Sequence, residues 1–523
     1  MKNNKVIYIP LDDRPVNLDM VIQLASLAEI DIKVPEKEYL GCFFKEGNVD
    51  LISRWIDSEK ADALIISLDM LLYGGLIASR TDKKSLDESI KVLDFLKKYK
   101  EKNKNTKIYA FSNIMRLSIS VSSDESQIWW SKINKYNELL YRVESLKEIR
   151  LKNSLEKIKS EIPRDILDTY LRTRDRNHKV NMESIEFVKE GIIDFLILSQ
   201  EDCSKYGIHL IEHEKIHKKI NEYELKDKIY VYPGADEIGQ ILVSRYVNDI
   251  NNFIPKVFID YDNEFSKDII PKFEDRPLNI NLVEHLKSTN ALVVENYDDC
   301  DYILLVTIPN MPYIDMAEDN IDKYNKKLVI DNFINRINKY IGLGKKVALA
   351  DLSFSNGGDK YLIRRLKEED LLLKILSYGA WNTAGNAMGT AISHANLISV
   401  IDFSGTLNIN KSLKSLIFLI ERYCDDYMYQ SIVRSEVNKE VLKENLSIFD
   451  MKTRVEKIDD FVEKSLDRML SEFFSKKKID YLDAKGSIED IEVKANLPWN
   501  RTFEVKCEVK IKFKERRNEG IRK

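Results

Sequence analysis

Cysteine is scarce in this sequence, and its few copies stand far apart. The chain has five cysteines, an odd number, and no CxxC pair, at Cys42, Cys203, Cys300, Cys424 and Cys507. A disulfide framework needs paired cysteines and a cysteine-based zinc site needs closely spaced ones, so neither is indicated. A reducing compartment fits this usage, and we expect a cytoplasmic protein.

Long apolar runs are also missing. A membrane-spanning helix needs roughly 20 consecutive apolar residues, and no run approaches that length. The apolar stretch near the amino terminus stops at Asp12, too early for the core of a signal peptide. We therefore expect no membrane partner.

The chain lacks an excess of charge of either sign. Its 82 basic and 86 acidic residues nearly cancel and are interspersed along predicted helices, which argues against a nucleic-acid partner. A hydrophobic fraction of 44% is typical of a folded globular protein, and 523 residues exceed what one core supports. We expect a multidomain protein whose partner is a small-molecule substrate, and the sequence does not indicate an oligomeric state.

Short apolar runs alternate with helical patterns, which predicts an α/β protein with parallel sheets. The predicted strands are 6–11, 30–34, 63–68, 107–112, 194–199 and 228–232, then 257–261, 291–295, 302–307, 346–352 and 372–377. Six strands followed by five exceed the eight of one closed barrel, so we predict two parallel-sheet lobes, with a decorated (β/α)8 barrel as the alternative.

The predicted domains follow from this alternation. The first lobe covers 1–252 and contains a helical insertion at about 123–190, where leucines and isoleucines recur at helical spacing. The second lobe covers 253–406. The segment 407–523 is predicted to be helical and then to form a terminal β-hairpin over 491–513, packing back on the core.

Polar residues follow the predicted strands of the first lobe. In parallel α/β proteins, ligands bind outside the carboxyl ends of strands, so acids and arginines placed there indicate a site. The catalytic candidates, as general acid and base, are Asp12, Asp13, Asp69, Asp202, Asp236 and Glu237. The substrate-binding candidates of this lobe are Arg14, Tyr73, Arg80, Asn113, Arg116 and Arg245, of which Arg14, Arg80 and Arg245 would bind anionic or hydroxyl groups.

The second lobe adds substrate-binding candidates of another kind. An aromatic ring beside amides and hydroxyls is how proteins hold polyhydroxylated ligands, although a core tryptophan with capping polar residues gives the same pattern. The candidates are Asn356, Asp359, Trp381, Asn382 and Asn386. We expect the candidates of both lobes to converge on one pocket.

Several cofactor and nucleophile motifs are missing. There is no GxGxxG, no P-loop and no GxSxG elbow, which disfavours nucleotide binding and serine hydrolase chemistry. His213, Glu214 and His217 match the HExxH zinc pattern, but their helix is rich in lysine and glutamate and no third-ligand signature follows, so we interpret it as a solvated helix face. We assign no metal site and no resident cofactor, with Mg²⁺ as the one alternative that the carboxylates suit.

Segments along nearly the whole chain resemble the bacterial domain of unknown function 4127 family. They are LDDRPVN (11–17), SLDMLLYGGLIASR (67–80), SQED (199–202), PGADEIG (233–239), NGGD (356–359), GAWNTAGNAMGT (379–390) and LPWNRTFE (497–504). The chain departs from the family pattern at Glu201, where aspartate is usual, and at Ala380, where glycine is usual. The resemblance implies that these residues belong together and carries no activity.

The leading functional hypothesis is a hydrolase, of glycoside hydrolase type in its narrower form, that uses carboxylates as general acid and base on a small hydroxyl-rich or anionic substrate. A Mg²⁺-dependent transferase or lyase using the same acids is the first alternative. A non-catalytic sugar- or metabolite-binding protein is the second.

Overall fold

The computed structural model describes residues 4–309, 326–453 and 456–516. They form two compact units. Unit 1 comprises Met1–Val243 with Ile270–Ser288, and unit 2 comprises Ser244–Ile269 with Thr289–Lys523.

Unit 1 contains a six-stranded parallel sheet in the order β2-β1-β3-β4-β5-β6. Its strands are β1 (Lys5–Ile9), β2 (Asp31–Lys33), β3 (Ala63–Ser67), β4 (Lys107–Ile114), β5 (Phe195–Gln200) and β6 (Ile229–Pro233). Strand β3 is buried at every position, as its continuous apolar run predicts for a strand covered on both faces.

Helices connect these strands and cover the sheet. They are α1 (Asp19–Leu27), α2 (Val49–Ser58), α3 (Leu68–Tyr73), α4 (Leu76–Ser79), α5 (Leu86–Lys102), α6 (Asp124–Glu144), α7 (Lys152–Glu161), α8 (Arg164–Lys189), α9 (His209–Glu222), α10 (Ile238–Ile250) and α11 (Leu278–Ser288). Helix α5 begins at a capping box, in which Ser85 and Glu88 satisfy each other's backbone amides. The boundary between the units falls within α10.

The predicted helical insertion is confirmed as α6, α7 and α8. It has a small core of its own, formed by Ile133, Tyr136, Leu139, Val143, Leu155 and Tyr170 with their neighbours. Leu146 and Ile149, which share the helical spacing, are exposed because α6 ends at Glu144 and the chain turns there.

Unit 2 contains a five-stranded parallel sheet in the order β11-β10-β9-β7-β8. Its strands are β7 (Lys256–Tyr261), β8 (Leu292–Val293), β9 (Tyr302–Val306), β10 (Val347–Ala350) and β11 (Ser377–Gly379). The fold class is therefore confirmed as two open parallel sheets, and the decorated-barrel alternative is wrong.

The predicted strand at 372–377 is wrong in position. Leu372–Lys374 forms a 3-10 turn, and the edge strand runs over Ser377–Gly379, paired only with β10. An apolar run that is buried in a turn has the same pattern as one buried in a strand, so periodicity does not separate them.

The rest of unit 2 is helical and then antiparallel. Its helices are α12 (Lys327–Gly342), α13 (Lys360–Glu368), α14 (Ala384–Phe403), α15 (Ile409–Arg422), α16 (Arg434–Lys443) and α17 (Glu456–Phe474), with a π-helix at Tyr423–Val433 between α15 and α16. The predicted hairpin is confirmed within a three-stranded sheet of β12 (Lys478–Tyr481), β13 (Ala484–Asn496) and β14 (Lys506–Glu515).

None of the helices in the described part of the chain combines the length and the apolar character that a bilayer crossing requires.

Candidate functional site

The carboxyl edge of the six-stranded sheet carries most of the residues predicted from the sequence. Each lies at or after the end of a strand and most are buried, and most of them fall into three clusters. The members in unit 1 are Asp12, Asp13, Arg14, Asp69, Tyr73, Arg80, Asn113, Arg116, Asp202, Asp236 and Glu237.

The first cluster joins the loop after β1 to the loop after β6. The Arg14 guanidinium donates to Asp12 through Nε (3.0 Å) and to Asp236 through Nη1 (3.2 Å). Asn17 Nδ2 donates to Asp12 (2.8 Å) and to Asp236 (3.1 Å). Two buried carboxyl groups thus share one cation and one amide.

This contact constrains the path of the chain after β6. Strands β1 and β6 are four positions apart in the sheet, so a flat sheet would separate them by about 19 Å. Gln240 nevertheless reaches the Val16 carbonyl (3.3 Å), and Gly239 packs so closely on Tyr8 that a Cβ there would lie 2.2 Å from the phenol oxygen. The segment after β6 therefore crosses the sheet edge to the end of β1.

Burial and the adjacent Asp12 charge govern the protonation of Asp236. Together they raise the pKa of Asp236 to about 6, although Arg14 and Asn17 favour its ionised form. A carboxyl group with such a pKa can hold or release a proton near neutral pH.

The second cluster centres on Asp69, at the start of α3. Both the backbone amide of Asn113 (2.9 Å) and its side-chain amide (3.2 Å) donate to Asp69 Oδ2, and Ser199 donates to Asn113 Oδ1 (2.9 Å). Asp69 is only 1% exposed and, among the residues that the structure describes, pairs with no lysine or arginine. Burial above all, helped by the Glu201 charge, raises the pKa of Asp69 to about 6.

The third cluster is an ion-pair chain beside the second. Arg80 pairs with Glu201, Arg116 pairs with Asp202, and Arg116 Nη1 also lies 3.9 Å from Glu201. Two guanidinium groups therefore face two carboxylates where β4 and β5 end. An anionic substrate group could exchange with either carboxylate on these arginines.

A cavity of about 360 Å³ opens at this third cluster. Arg116, Asp202 and Cys203 line it from the sheet edge, and Lys135 and Glu138 line it from the helical insertion. The cavity is of the size that small-molecule sites have, and all of its lining residues belong to unit 1.

Helix α8 of the insertion fixes these clusters from one side. Arg174 forms a buried ion pair with Glu212 (2.6 Å) and donates to the Arg116 carbonyl (2.9 Å). Arg176 donates to the Ser79 carbonyl (2.7 Å) and lies over the Tyr73 ring at 4.2 Å. Tyr73, predicted to bind substrate, thus packs under an arginine.

Asp13 and Glu237 point away from these clusters. Asp13 lies 3.4 Å from Lys37, whereas Glu237 accepts from the Ala235 amide (3.0 Å) and lies 3.1 Å from His285 Nε2. Glu237 therefore shapes its own loop.

The glycine pair after α3 is enclosed by backbone. Gly74 has φ +85° and ends the helix in a left-handed conformation, and a Cβ there would lie 2.7 Å from backbone atoms of Gly47. Close backbone packing and a left-handed conformation therefore explain why glycine stands here.

Unit 2 contains a second buried group of acids, after β10. Asp351 accepts from the Asp359 amide (2.7 Å) and from Tyr378 (3.2 Å). Burial and the Asp359 charge raise the pKa of Asp351 to about 7. Asp359, predicted to bind substrate, caps α13 by accepting from the amides of Tyr361 and Leu362.

The π-helix adds a further carboxyl group to unit 2. Asp426 accepts from the Ala380 amide (2.8 Å) and from Arg422 Nη1 (3.1 Å). Burial raises the pKa of Asp426 to about 7 against the effect of Arg422. Such π-helical segments are frequent at functional sites.

The remaining candidates of unit 2 have mainly structural contacts. Trp381 is buried against Phe503, with ring centroids 5.7 Å apart, as a core tryptophan would be. Asn356 and Asn382 both have left-handed φ values, 62° and 66°, and are joined by a backbone hydrogen bond of 2.9 Å. Asparagine tolerates that conformation well, which explains its use here.

Two further substrate-binding candidates in unit 2, Asn386 and Arg245, contact neighbours close to them in the sequence. The Asn386 amide donates to Thr383 at the start of α14 (3.4 Å), and Arg245 pairs with Asp249 one turn later on α10 (3.0 Å). The roles assigned to all these residues from the sequence stay predictions.

The HEKIH segment differs from the sequence interpretation. Glu214 and His217 are exposed, but His213 is buried, so a solvated helix face is wrong for that residue. His213 faces Gln200 (3.0 Å) and Asp275 (3.5 Å), together with His209 from the preceding turn.

One group of metal-ligating side chains is present within the described residues. Donor atoms of Cys203, His209 and Asp275 lie within 4.8 Å of one another. All five cysteines are free thiols, as the absence of paired cysteines predicts.

Sequence reasoning did not select several residues that the structure places in these clusters. They are Asn17, Arg174, Ser199, Glu201, Asp351, Arg422 and Asp426. Glu201 stands inside the SQED segment beside the selected Asp202, so the segment was itself a signal. Arg174 had no such signal, because its helix is charged throughout.

Comparisons with known proteins identify a family. The model of the family described as Protein of unknown function (DUF4127) matches residues 6–508. The comparison with curated proteins and the comparison with solved structures each found no match. Since the match spans nearly the whole chain, the protein belongs to this DUF4127 family.

Proposed function

We propose that the protein is a hydrolase of a small hydroxyl-rich or anionic substrate, with carboxyl groups at the carboxyl edge of the six-stranded sheet as general acid and base. The observation that carries the proposal is Asp69, a buried carboxyl group whose pKa is raised to about 6. A general acid works best when its pKa lies near the operating pH.

The surroundings of Asp69 suit a division of roles. Asp69 has neutral partners, the Asn113 amides and the Ser79 side chain, whereas Glu201 is paired with Arg80 and lies beside Arg116. Carboxyl groups in such different environments can take opposite roles in one reaction. In the proposed reaction, Asp69 donates a proton to the leaving-group oxygen, and Glu201 accepts a proton from the attacking water.

The cavity supplies the route for substrate. It reaches Arg116 and Asp202, which are adjacent to Glu201 in the ion-pair chain. In the proposal, an anionic or hydroxyl group of the substrate enters there and binds Arg116 and Arg80. A carbohydrate substrate and a cytoplasmic location are the narrower forms of the proposal, supported by the mixture of amides and carboxyls and by the free thiols.

A panel of chromogenic aryl glycosides, phosphates and carboxylic esters tests the proposal. The wild type should hydrolyse one class, and Asp69→Asn should lose about 10²- to 10⁴-fold in rate, the usual contribution of a general acid. Glu201→Gln should lose activity as well, and Asp94→Asn, an exposed change on α5, should keep it.

Leaving groups sharpen the test. A dinitrophenolate leaving group needs little protonation. Asp69→Asn should therefore keep much more of its hydrolytic activity on dinitrophenyl substrates than on unactivated aryl substrates, whereas Glu201→Gln should lose activity on both. Full activity of Asp69→Asn on poor leaving groups would end the proposal.

The buried acids of unit 2 favour a second candidate, a Mg²⁺-dependent transferase or lyase. Asp351 and Asp359 are buried next to each other, and a divalent cation would relieve the repulsion that raises the pKa of Asp351. Complete loss of turnover on chelation, restored by Mg²⁺, would favour this candidate.

A ligand that stabilises the protein but is recovered unchanged would favour a binding protein.

A further inference from the structure

Four buried side chains of unit 1 converge beneath helix α9. Cys203 follows β5, His209 and His213 lie one turn apart on α9, and Asp275 precedes α11. His209 Nε2 lies 3.4 Å and His213 Nδ1 lies 3.5 Å from the same oxygen, Asp275 Oδ2. Donor atoms of Cys203, His209 and Asp275 are mutually within 4.8 Å.

Some atoms of this group lack the hydrogen bonds that buried polar atoms normally make. His209 is 0% exposed, and neither of its ring nitrogens makes a hydrogen bond of normal geometry; the acceptor nearest to Nε2 is Asp275 Oδ2, at 3.4 Å. Asp275 Oδ2, the oxygen that both histidines face, also lacks one. Orphaned buried polar atoms are rare, and two of them, His209 Nε2 and Asp275 Oδ2, face each other at 3.4 Å, which indicates a missing partner between them.

Gln200 fixes the tautomer of His213. Its amide nitrogen donates to backbone carbonyls, most closely that of Glu201 (2.7 Å), so its Oε1 has to face His213 Nε2 (3.0 Å). His213 Nε2 must then carry the hydrogen, which leaves the lone pair of Nδ1 directed at Asp275 Oδ2. A lone pair facing a carboxylate oxygen is repulsive unless a cation lies between them. A metal-ligating histidine is held in the same way, by a partner on its other nitrogen.

The environment favours the ligand forms of the two histidines and of Asp275, whereas burial and the Asp275 charge raise the pKa of the Cys203 thiol. Burial lowers the pKa of His209 and of His213, which keeps the imidazoles neutral. Burial opposes ionisation of Asp275, but His209 and Arg276 outweigh it and hold the pKa of Asp275 below its usual value. Arg276 Nε donates to Asp275 Oδ1 (2.9 Å) and so orients the carboxylate.

We propose that Cys203, His209, His213 and Asp275 bind one divalent transition-metal ion of the zinc class. Two nitrogens, one sulfur and one oxygen make a four-ligand set of the kind that zinc takes in tetrahedral geometry. Because all four ligands come from the protein, the site is closed and structural, tying the loop after β5 and the segment before α11 to α9. Binding converts the Cys203 thiol to thiolate and releases its proton.

The histidine pair of this site is offset by one turn from the HEKIH pair. His213 belongs to both, and His217, which HEKIH would use, is exposed. His217 therefore provides a matched control on the same helix. The proposal does not depend on the proposed hydrolase function, and its tests need no substrate.

Metal analysis of the untagged full chain, purified without chelator, is the first test. We expect about one zinc ion per chain in the wild type and in His217→Gln. Cys203→Ser, His209→Gln and Asp275→Asn should each bind zinc about 10-fold more weakly or worse, and Gln200→Ala about 10- to 100-fold more weakly. Equal zinc content in the wild type and in the ligand variants would overturn the proposal, as would loss in His217→Gln alone.

Cobalt reconstitution of the wild type covers the case in which the ligand variants fail to fold. The Co²⁺-loaded chain should show a thiolate-to-cobalt charge-transfer band and the d–d spectrum of a tetrahedral site, and His217→Gln should show the same spectrum. A wild type that binds neither Zn²⁺ nor Co²⁺, or a cobalt spectrum without the thiolate band, would contradict the assignment.

Discussion

Replacing Asp69 by asparagine should change the pH dependence of stability in a way that follows from burial. The folded-state pKa of Asp69 is raised from 3.8 to about 6. Below about pH 3 the carboxyl is protonated in both folded and unfolded chains, and burial then has no ionic penalty. Between about pH 4 and pH 6 the unfolded chain ionises this group while the folded chain keeps it protonated, so stability falls, and the loss is complete once the pH has passed about 6.

The magnitude follows from the size of the rise. A pKa raised from 3.8 to about 6 means that ionising Asp69 costs about 3 kcal/mol more in the folded chain than in the unfolded chain. Asparagine never ionises, and its single carbonyl oxygen can replace Asp69 Oδ2, which accepts both Asn113 bonds. The free energy of unfolding of Asp69→Asn, relative to the wild type, should therefore rise by about 3 kcal/mol between pH 3 and pH 7.

Urea unfolding across this pH range measures the difference. Trp381 and Trp499 belong to unit 2, so replacing both by phenylalanine restricts the tryptophan signal to unit 1. For Asp94→Asn, an exposed change on α5, the difference in free energy of unfolding from the wild type should stay nearly constant across this pH range. A constant difference for Asp69→Asn as well, from pH 3 to pH 7, would refute the reasoning.

Two further predictions concern stability. Arg174→Met should destabilise unit 1 by about 3–5 kcal/mol because it leaves the buried Glu212 carboxylate unpaired, and Arg174→Met with Glu212→Gln should recover part of the loss in urea unfolding. Gly74→Ala should lower the melting temperature more than Gly344→Ala: both positions have left-handed φ, worth about 1–2 kcal/mol, but only Gly74 faces backbone within 2.7 Å. Equal losses for the two glycines would mean that φ alone matters.

The sheet architecture could be predicted because its signal is local. Strands covered on both faces are continuous apolar runs, as in β3 and β9, and the position of such a strand can be read directly from the sequence. The edge strand β11 was misplaced because it has only three residues and follows a buried turn with the same apolar content. The strand ends, and with them the position of Asp69, followed directly from this alternation.

The partners across the site could not be predicted from the sequence. Arg14 and Asp236 are 222 positions apart and meet because the segment after β6 crosses the sheet edge, a path that no local pattern encodes. Cys203, His209 and Asp275 likewise follow no spacing rule, since Asp275 arrives from a distant segment. The HExxH motif lies on the helix that carries the proposed metal site, but the proposed pair, His209 and His213, is offset from the motif by one turn.

The pH dependence of kcat/KM, on whichever substrate the panel identifies, tests the central claim most directly. This quantity reports the ionisation of essential groups in the free enzyme. If Asp69 is the general acid, kcat/KM of the wild type should fall as the pH rises through about 6, and Asp69→Asn should lose that limb. An unchanged limb in Asp69→Asn, at the wild-type rate, would contradict the account.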